Sequence, residues 1–155
     1  MQEVGTGIDE IVDEHRELRK MTAALRAFLE APRPQVGAPG AHTWAAEFAE
    51  HLLKLHDKVF RHFRHEERSG VLEEIGRENP QAAAAVEVLG RDHDRMLADL
   101  RTLLGAAMVY SEAKAPEDSR LRRWALSTLS HLEQHEHEET ELMQKTFCLD
   151  LGLGD

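Results

Sequence analysis

The stretch from Phe48 to Glu66 places the strongest constraint on the fold, because a helical pattern that begins with apolar residues ends with ionisable ones. Its inward positions follow one another at alternating spacings of four and three residues: Phe48, Leu52, Leu55, Val59, His62 and Glu66. That period predicts an α-helix with one buried face. A buried imidazole beside a buried carboxylate needs a compensating charge, and a metal ion is a candidate. The pair alone is not specific, since His137 and Glu141 have the same spacing.

Three other stretches carry apolar residues at helical spacing, and proline or glycine separates them. Together the patterns predict four helices, over about 7–30, 43–68, 80–110 and 116–147. Thr6 and Asp9 form a capping box for the first helix. Three prolines and two glycines between residues 31 and 40 exclude a helix there. We expect a single all-α domain over 1–155, an up-down-up-down four-helix bundle.

The composition agrees with a helical fold and limits the partners. The chain has 155 residues, 41% of them hydrophobic, and few of the β-branched and aromatic residues that fill strands. A formal net charge of −10 opposes binding to nucleic acid or to an anionic membrane. The one cysteine, Cys148, excludes an internal disulfide and disfavours thiolate metal sites. Since Met1 to Gly7 carry no basic leader and no apolar run has membrane-spanning length, we expect a soluble, cytoplasmic protein.

Ten histidines are unusually many for this length, and four of them fall on the inward faces of the helices. Each predicted helix contributes one: His15, His62, His93 and His135. A single core histidine is most simply explained by a hydrogen bond to a neighbour, but four at one level favour a shared site. At ~1.5 Å per residue, the first, second and fourth converge towards one end of the bundle, and His93 lies near enough to join them.

Two glutamates complete this set, because Glu66 follows His62 by four residues and Glu139 follows His135 by four. The spacing puts both side chains of each pair on one helix face. Nitrogen and oxygen donors without thiolate suit iron, manganese or zinc, and two bridging carboxylates can hold two cations close together. The sequence therefore predicts a dinuclear metal site.

The chain resembles the hemerythrin-like (HHE cation-binding) domains over nearly its whole length. The resemblance rests on four segments in order: Asp13-Glu14-His15 followed by Leu18, His62-Phe63-Arg64-His65-Glu66-Glu67, Asp92-His93, and His135-Glu136-His137-Glu138-Glu139-Thr140-Glu141-Leu142. It implies a four-helix bundle that holds two non-haem irons with an oxo or hydroxo bridge, with manganese or zinc as substitutes. The implied terminal ligands are four histidines, His15, His62, His93 and His135. The implied bridging ligands are Glu66 and Glu139.

Two positions depart from the oxygen-carrying members of that family. Those proteins have a second histidine four residues after the one on the third helix, where this chain has Leu97. They end the ligand set with an aspartate five residues after the last histidine, where this chain offers Glu139 after four. A set of four histidines and two glutamates resembles the ligand set of hemerythrin-like regulatory domains that sense oxygen or iron. We therefore expect binding or sensing of oxygen, nitric oxide or iron rather than reversible oxygen carriage.

Two other functions stay open from the sequence. The same centre could turn over peroxide or nitric oxide as an oxidoreductase, and a degenerate bundle could bind zinc adventitiously. The absence of a nucleophile motif and of a phosphate-binding loop favours a binding protein over an enzyme. His65 and His131 are left out of the predicted ligand set. Four further glutamates are assigned to a solvated helix face: Glu67, Glu136, Glu138 and Glu141.

Overall fold

The protein is all-α in the computed structural model, which describes residues 2–32, 41–113 and 119–147. Five helices lie in these ranges: α1 Gln2–Glu30, α2 Ala41–Ser69, α3 Val71–Glu78, α4 Ala83–Ala113 and α5 Ser119–Phe147. A short 3-10 turn, Pro80–Ala82, leads into α4. The described residues contain no strand, so the predicted fold class is confirmed. Three features of the sequence fall outside the described residues: the proline-rich segment over residues 33–40, Pro116 and Cys148.

The four long helices form a closed ring, because α2 and α5 each pack against both α1 and α4. The contacts between α1 and α5 run in opposite directions along the two helices, as in an antiparallel pair. His15 meets Thr140 at one level, and Arg26 meets Glu133 further along α1. The connection between α2 and α4 is short and passes through α3 at one end of the bundle. This order gives the predicted up-down-up-down bundle.

The two predicted helix starts near Thr6 and Thr43 are wrong in position. α1 begins at Gln2 and α2 begins at Ala41, so both threonines lie inside helices. A capping box is a local signal, and a single residue such as Gly5 opposes helix extension by only about 1 kcal/mol. The predicted end of the second helix near residue 68 agrees with the structure, since α2 ends at Ser69 and Gly70 has a φ of 70°. Glycine accepts this left-handed conformation without a steric penalty, which lets the chain turn directly into α3.

Two apolar clusters fill the bundle, and a polar layer lies between them. The larger cluster occupies the long central part and includes Leu18, Val59 and Phe63. The smaller one lies under α3, and its members come from the start of α1, from α3, from the 3-10 turn and from the end of α5: Ile8, Ile11, Val71, Leu72, Ile75, Ala82 and Met143. Because α3 closes this end of the bundle, the polar side chains between the clusters are shielded on both sides.

Candidate metal centre

The polar layer contains the six residues that the sequence singles out as metal ligands. Each long helix supplies one histidine, and α2 and α5 each add a glutamate one turn further on. All six are at most 3% exposed: His15, His62, Glu66, His93, His135 and Glu139. Their donor atoms form two overlapping groups, and within each group the atoms lie within 4.8 Å of one another. Both glutamates belong to both groups, while the histidines divide into a first pair, His15 and His62, and a second pair, His93 and His135.

The carboxylate of Glu66 lies between the two histidine pairs. Its Oε1 atom is 2.8 Å from His62 Nε2 and 3.2 Å from His15 Nε2. Its other oxygen, Oε2, is 3.0 Å from His93 Nε2. One carboxylate therefore presents one oxygen to each pair, which is the arrangement that a bridging carboxylate requires.

Glu139 lies closer to the second pair. Its Oε1 atom is 2.5 Å from His135 Nε2 and 3.9 Å from His93 Nε2. The i, i+4 spacing on α5 explains the shorter contact, because residues one turn apart on a helix face each other. Glu139 thus stands opposite Glu66 across the layer, and the two carboxylates come from different helices.

Hydrogen bonds to the Nδ1 atoms, the outer ring nitrogens that face away from the layer, orient the first pair. His15 Nδ1 lies 3.0 Å from Thr140 Oγ1, and that hydroxyl donates its own proton to the carbonyl oxygen of Glu136 at 2.8 Å. The hydroxyl oxygen must therefore accept from His15 Nδ1–H, which leaves His15 Nε2 free to face the layer. His62 Nδ1 similarly donates to Glu14 Oε2 at 3.2 Å. Such partners fix the tautomer and the ring orientation of a metal-binding histidine.

The second pair is oriented mainly by packing. The acidic groups nearest to its outer nitrogens are too far for hydrogen bonds, with Glu67 Oε1 at 3.9 Å from His93 Nδ1 and Asp92 Oδ2 at 3.9 Å from His135 Nδ1. Instead the Phe63 ring stacks on the His93 ring, with centroids 4.0 Å apart and an interplanar angle of 7°. The two pairs therefore differ in how firmly their Nε2 atoms are directed into the layer.

The carboxylates shift the pKa values of the imidazoles in the metal-free protein. Burial alone would lower the pKa of His62, but Glu14 and Glu66 raise it to about 10. Burial opposes protonation of His93 as well, and Glu139 and Glu66 raise its pKa to about 9. For Glu66, desolvation is outweighed by His15, His62 and His93, so its pKa lies well below the ordinary value. At neutral pH these two imidazoles carry protons that compensate the buried carboxylates.

Several donor atoms in the layer lack a hydrogen-bond partner, although short nitrogen–oxygen contacts surround them. They are buried atoms of five of the six residues: His62 Nε2, Glu66 Oε2, His93 Nε2, both ring nitrogens of His135 and both carboxylate oxygens of Glu139. Ion pairs between imidazoles and carboxylates offset part of this burial in the metal-free protein. Buried polar atoms in native proteins are nevertheless almost always hydrogen-bonded, so their concentration in one layer is unusual. A cation coordinated by these atoms would satisfy most of them at once. The residues present thus fit a site for cations that prefer nitrogen and oxygen ligands.

Glu136 belongs to the polar layer, and the sequence interpretation missed it. The prediction that it lies on a solvated face is wrong, because the side chain is 4% exposed. Its Oε2 atom is 3.0 Å from His15 Nε2, and its Oε1 atom is 3.6 Å from His62 Nε2. A usable signal exists in the sequence, since Glu136 follows the buried Leu132 by four residues and so borders the inward stripe of α5.

Neither of the two histidines left out of the predicted set joins the six. His65 is partly exposed and pairs with Glu14 through Nδ1 and with Glu10 through Nε2. Its role is to hold Glu14, which in turn holds His62. His131 is exposed and borders a groove between α4 and α5.

Two surface grooves reach the layer from opposite sides of α5. One, of about 430 Å³, lies between α1 and α5 and is bordered by His15, Glu136 and Arg19. The other, of about 200 Å³, lies between α4 and α5 and is bordered by His135 and Asp92. Each histidine pair therefore has one member beside a surface groove.

Comparison with known families agrees with the geometry. The model of the Hemerythrin HHE cation binding domain matches residues 6–146, which is nearly the whole chain. The protein therefore belongs to this family, which confirms the resemblance seen in the sequence, and it is a cation-binding helical bundle. Searches of curated proteins and of solved structures give no significant match. Among the described residues, none of the helices is both long and apolar enough to cross a membrane.

Proposed function

We propose that this protein holds two non-haem iron ions in the polar layer and uses them to bind or sense a small ligand such as oxygen or nitric oxide, or to sense iron itself. The observation that carries the proposal is the position of Glu66, whose two oxygens face different histidine pairs at 2.8 to 3.2 Å. A single cation would use one pair and leave the other imidazoles unexplained. Two cations use both pairs and both shared glutamates.

The donor set supports iron. Four imidazoles and two shared carboxylates, with no thiolate, suit iron and also accept manganese or zinc. His15 and His62 would hold one ion, His93 and His135 the other, and Glu66 and Glu139 would bridge them. When bound, a di-iron centre supplies two one-electron redox changes and coordination positions for a small ligand. The grooves of about 430 and 200 Å³ suit a ligand of a few atoms.

The side chain at Leu97 favours sensing over reversible carriage. It lies one turn after His93 and is 5% exposed, so it adds an apolar surface where a third histidine would have completed the coordination of one metal. The second pair then has two imidazoles and the shared carboxylates, and open positions remain. We expect the reduced protein to oxidise in air and not to return to the reduced state when oxygen is removed.

Turnover of peroxide or nitric oxide at the same centre is the second candidate, and the same open positions support it. A peroxide consumption assay on iron-loaded protein separates the two. Consumption no faster than that of an equal concentration of free iron supports sensing, whereas many turnovers per chain support an oxidoreductase.

Metal content tests the proposal itself. Metal-free protein titrated anaerobically with iron(II) should bind two ions per chain, with a sharp end point at the second equivalent. The stopped-flow absorbance of this reduced protein mixed with oxygen should change once and stay changed under argon. Binding of one ion per chain, or of none, would contradict the di-iron proposal, and a colour that disappears under argon would contradict the sensing function.

A further inference from the structure

We infer that Glu136 is a seventh metal ligand, which binds only the ion at His15 and His62 and thereby directs exogenous anions to the ion at His93 and His135. The inference rests on the proposed di-iron function. It adds an asymmetry that the six-residue set does not have.

The first step is the burial of Glu136 without hydrogen-bond partners. The residue is 4% exposed, and neither carboxylate oxygen has a hydrogen-bond partner. A buried carboxylate is costly unless a positive charge lies beside it, and a bound cation would supply that charge once the imidazoles are deprotonated as ligands. Its neighbour Arg26, which lines the same groove, is already held by Glu133 and Ser130. Within the described part of the chain, the ion pairs of Glu136 are with two histidines, His15 and His62.

The second step is the direction of the carboxylate. Both contacts of Glu136 are with Nε2 atoms, at 3.0 Å for His15 and 3.6 Å for His62. These are the nitrogens that the hydrogen bonds of Thr140 and Glu14 leave facing the layer. A cation bound by the two Nε2 atoms would therefore lie within reach of Glu136, which comes from the groove side of α5.

The third step is the contrast with the second pair. Among the residues that the structure describes, only the shared carboxylates Glu66 and Glu139 pair with the Nε2 atoms of this second pair. Phe63 stacks on His93, and the other nearby carboxylates, at 3.9 Å, are beside the Nδ1 atoms. Counting the shared glutamates, the first ion would have five protein ligands and the second would have four. An anion that needs a vacant position should therefore bind the second ion, even though three acidic residues border the smaller groove at His135: Asp92, Asp99 and Glu138.

The wild-type protein provides the first test, with azide as the anion. Protein loaded with two iron-57 ions per chain and then oxidised should show two Mössbauer doublets of equal area. Azide should shift one of them and leave the other unchanged. Equal shifts of both doublets would overturn the assignment of Glu136 while leaving the di-iron centre intact. A chain that holds only one iron would overturn the di-iron proposal and this inference with it.

Two variants provide the second test. Glu136→Gln keeps the shape of the side chain and removes its charge, and Glu138→Gln makes the same change two residues away on an exposed position of α5. We expect Glu136→Gln to weaken the binding of one of the two irons by at least about tenfold, a loss seen even for groups that only orient a ligand. Azide should then shift both doublets. Glu138→Gln changes an exposed side chain that borders the smaller groove, and it should match the wild type in iron affinity and keep azide confined to one doublet.

Unchanged affinity for both irons in Glu136→Gln, with azide still confined to one doublet, would overturn the inference. Circular dichroism of the metal-free variants checks that the bundle is folded. Should Glu136→Gln fail to fold, the azide experiment on the wild-type protein decides the question alone.

Discussion

The two halves of the polar layer use similar imidazoles but support them differently. Around His15 and His62, hydrogen bonds of 3.0 and 3.2 Å set the ring orientations, and a buried carboxylate faces both Nε2 atoms. Around His93 and His135, the outer nitrogens are 3.9 Å from the nearest carboxylates, and packing against apolar side chains replaces hydrogen bonding. Under the proposed function, this difference would make the two metal positions unlike, because hydrogen bonds direct the imidazoles of the first pair and packing directs those of the second.

The largest effect should follow from removing Glu66, one of the two carboxylates that the two halves share. We expect Glu66→Ala to reduce the iron content from two per chain to below one, because both ions lose a ligand. Its matched control is Glu67→Ala, since Glu67 is exposed and lies 3.9 Å from His93 Nδ1. Iron analysis after desalting measures both variants, and equal losses would show that Glu66 has no special role.

The melting temperature gives a second measure of the same variant. Binding that occurs only to the folded state stabilises it by ~2.7 kcal/mol at a free metal concentration 100 times the dissociation constant. For a chain of this size that corresponds to roughly 5–10 °C. Adding iron(II) should raise the melting temperature of the wild-type protein by about that amount. A similar rise in Glu66→Ala would mean that the stabilising ion binds elsewhere.

An intermediate effect should separate the supporting residues of the two halves. Glu14→Ala removes the acceptor that orients His62, and we expect a loss of about 10- to 100-fold in affinity for one iron. Asp92→Ala removes a carboxylate that is too distant to orient His135, and its effect should be less than about threefold. Competition with a chelator of known affinity measures both. Equal losses in the two variants would remove the distinction between a hydrogen-bonded pair and a packed pair.

A further effect concerns pH and the metal-free protein. The pKa of His62 is about 10 and that of His93 about 9 in the folded state, against 6.5 as the ordinary value. A pKa raised by folding contributes stability that is complete below the unfolded value and is lost as the pH rises through the folded value. The urea midpoint of metal-free protein should therefore fall between pH 7 and pH 10. A constant or rising midpoint would show that these imidazoles are neutral in the folded bundle.

Proton release provides a related check on the loaded state. Metal ligands must be deprotonated, so the binding of iron should displace the protons held by His62 and His93. In weakly buffered solution at pH 7.5, a pH indicator should report about two or more protons released per chain. Release of none would contradict the raised pKa values.

The positions of the six predicted residues could be inferred from the sequence because each takes the place of an apolar residue in a helical stripe. His62 and Glu66, for example, continue the series that begins at Phe48, and all are buried. Periodicity determines which way a side chain faces when it lies in the centre of a stripe. It therefore predicts the helices, the bundle and the level of the polar layer.

Residues at the edge of a stripe could not be assigned in this way. Glu136 and Glu138 look alike in a glutamate-rich run, yet one is buried against His15 and the other is exposed. The difference depends on how closely α1 approaches α5, and a single helix pattern contains no information about its neighbour. The same holds for Glu14, whose contact with His62 requires the packing of α1 on α2.

Anomalous diffraction from crystals of the iron-loaded protein tests the central claim most directly, because it locates each ion relative to the side chains. We predict two iron peaks per chain, one at His15 and His62 and one at His93 and His135, with Glu66 in contact with both. Glu136 should contact only the first. A single peak, or two peaks of which only one is within bonding distance of Glu66, would contradict the account.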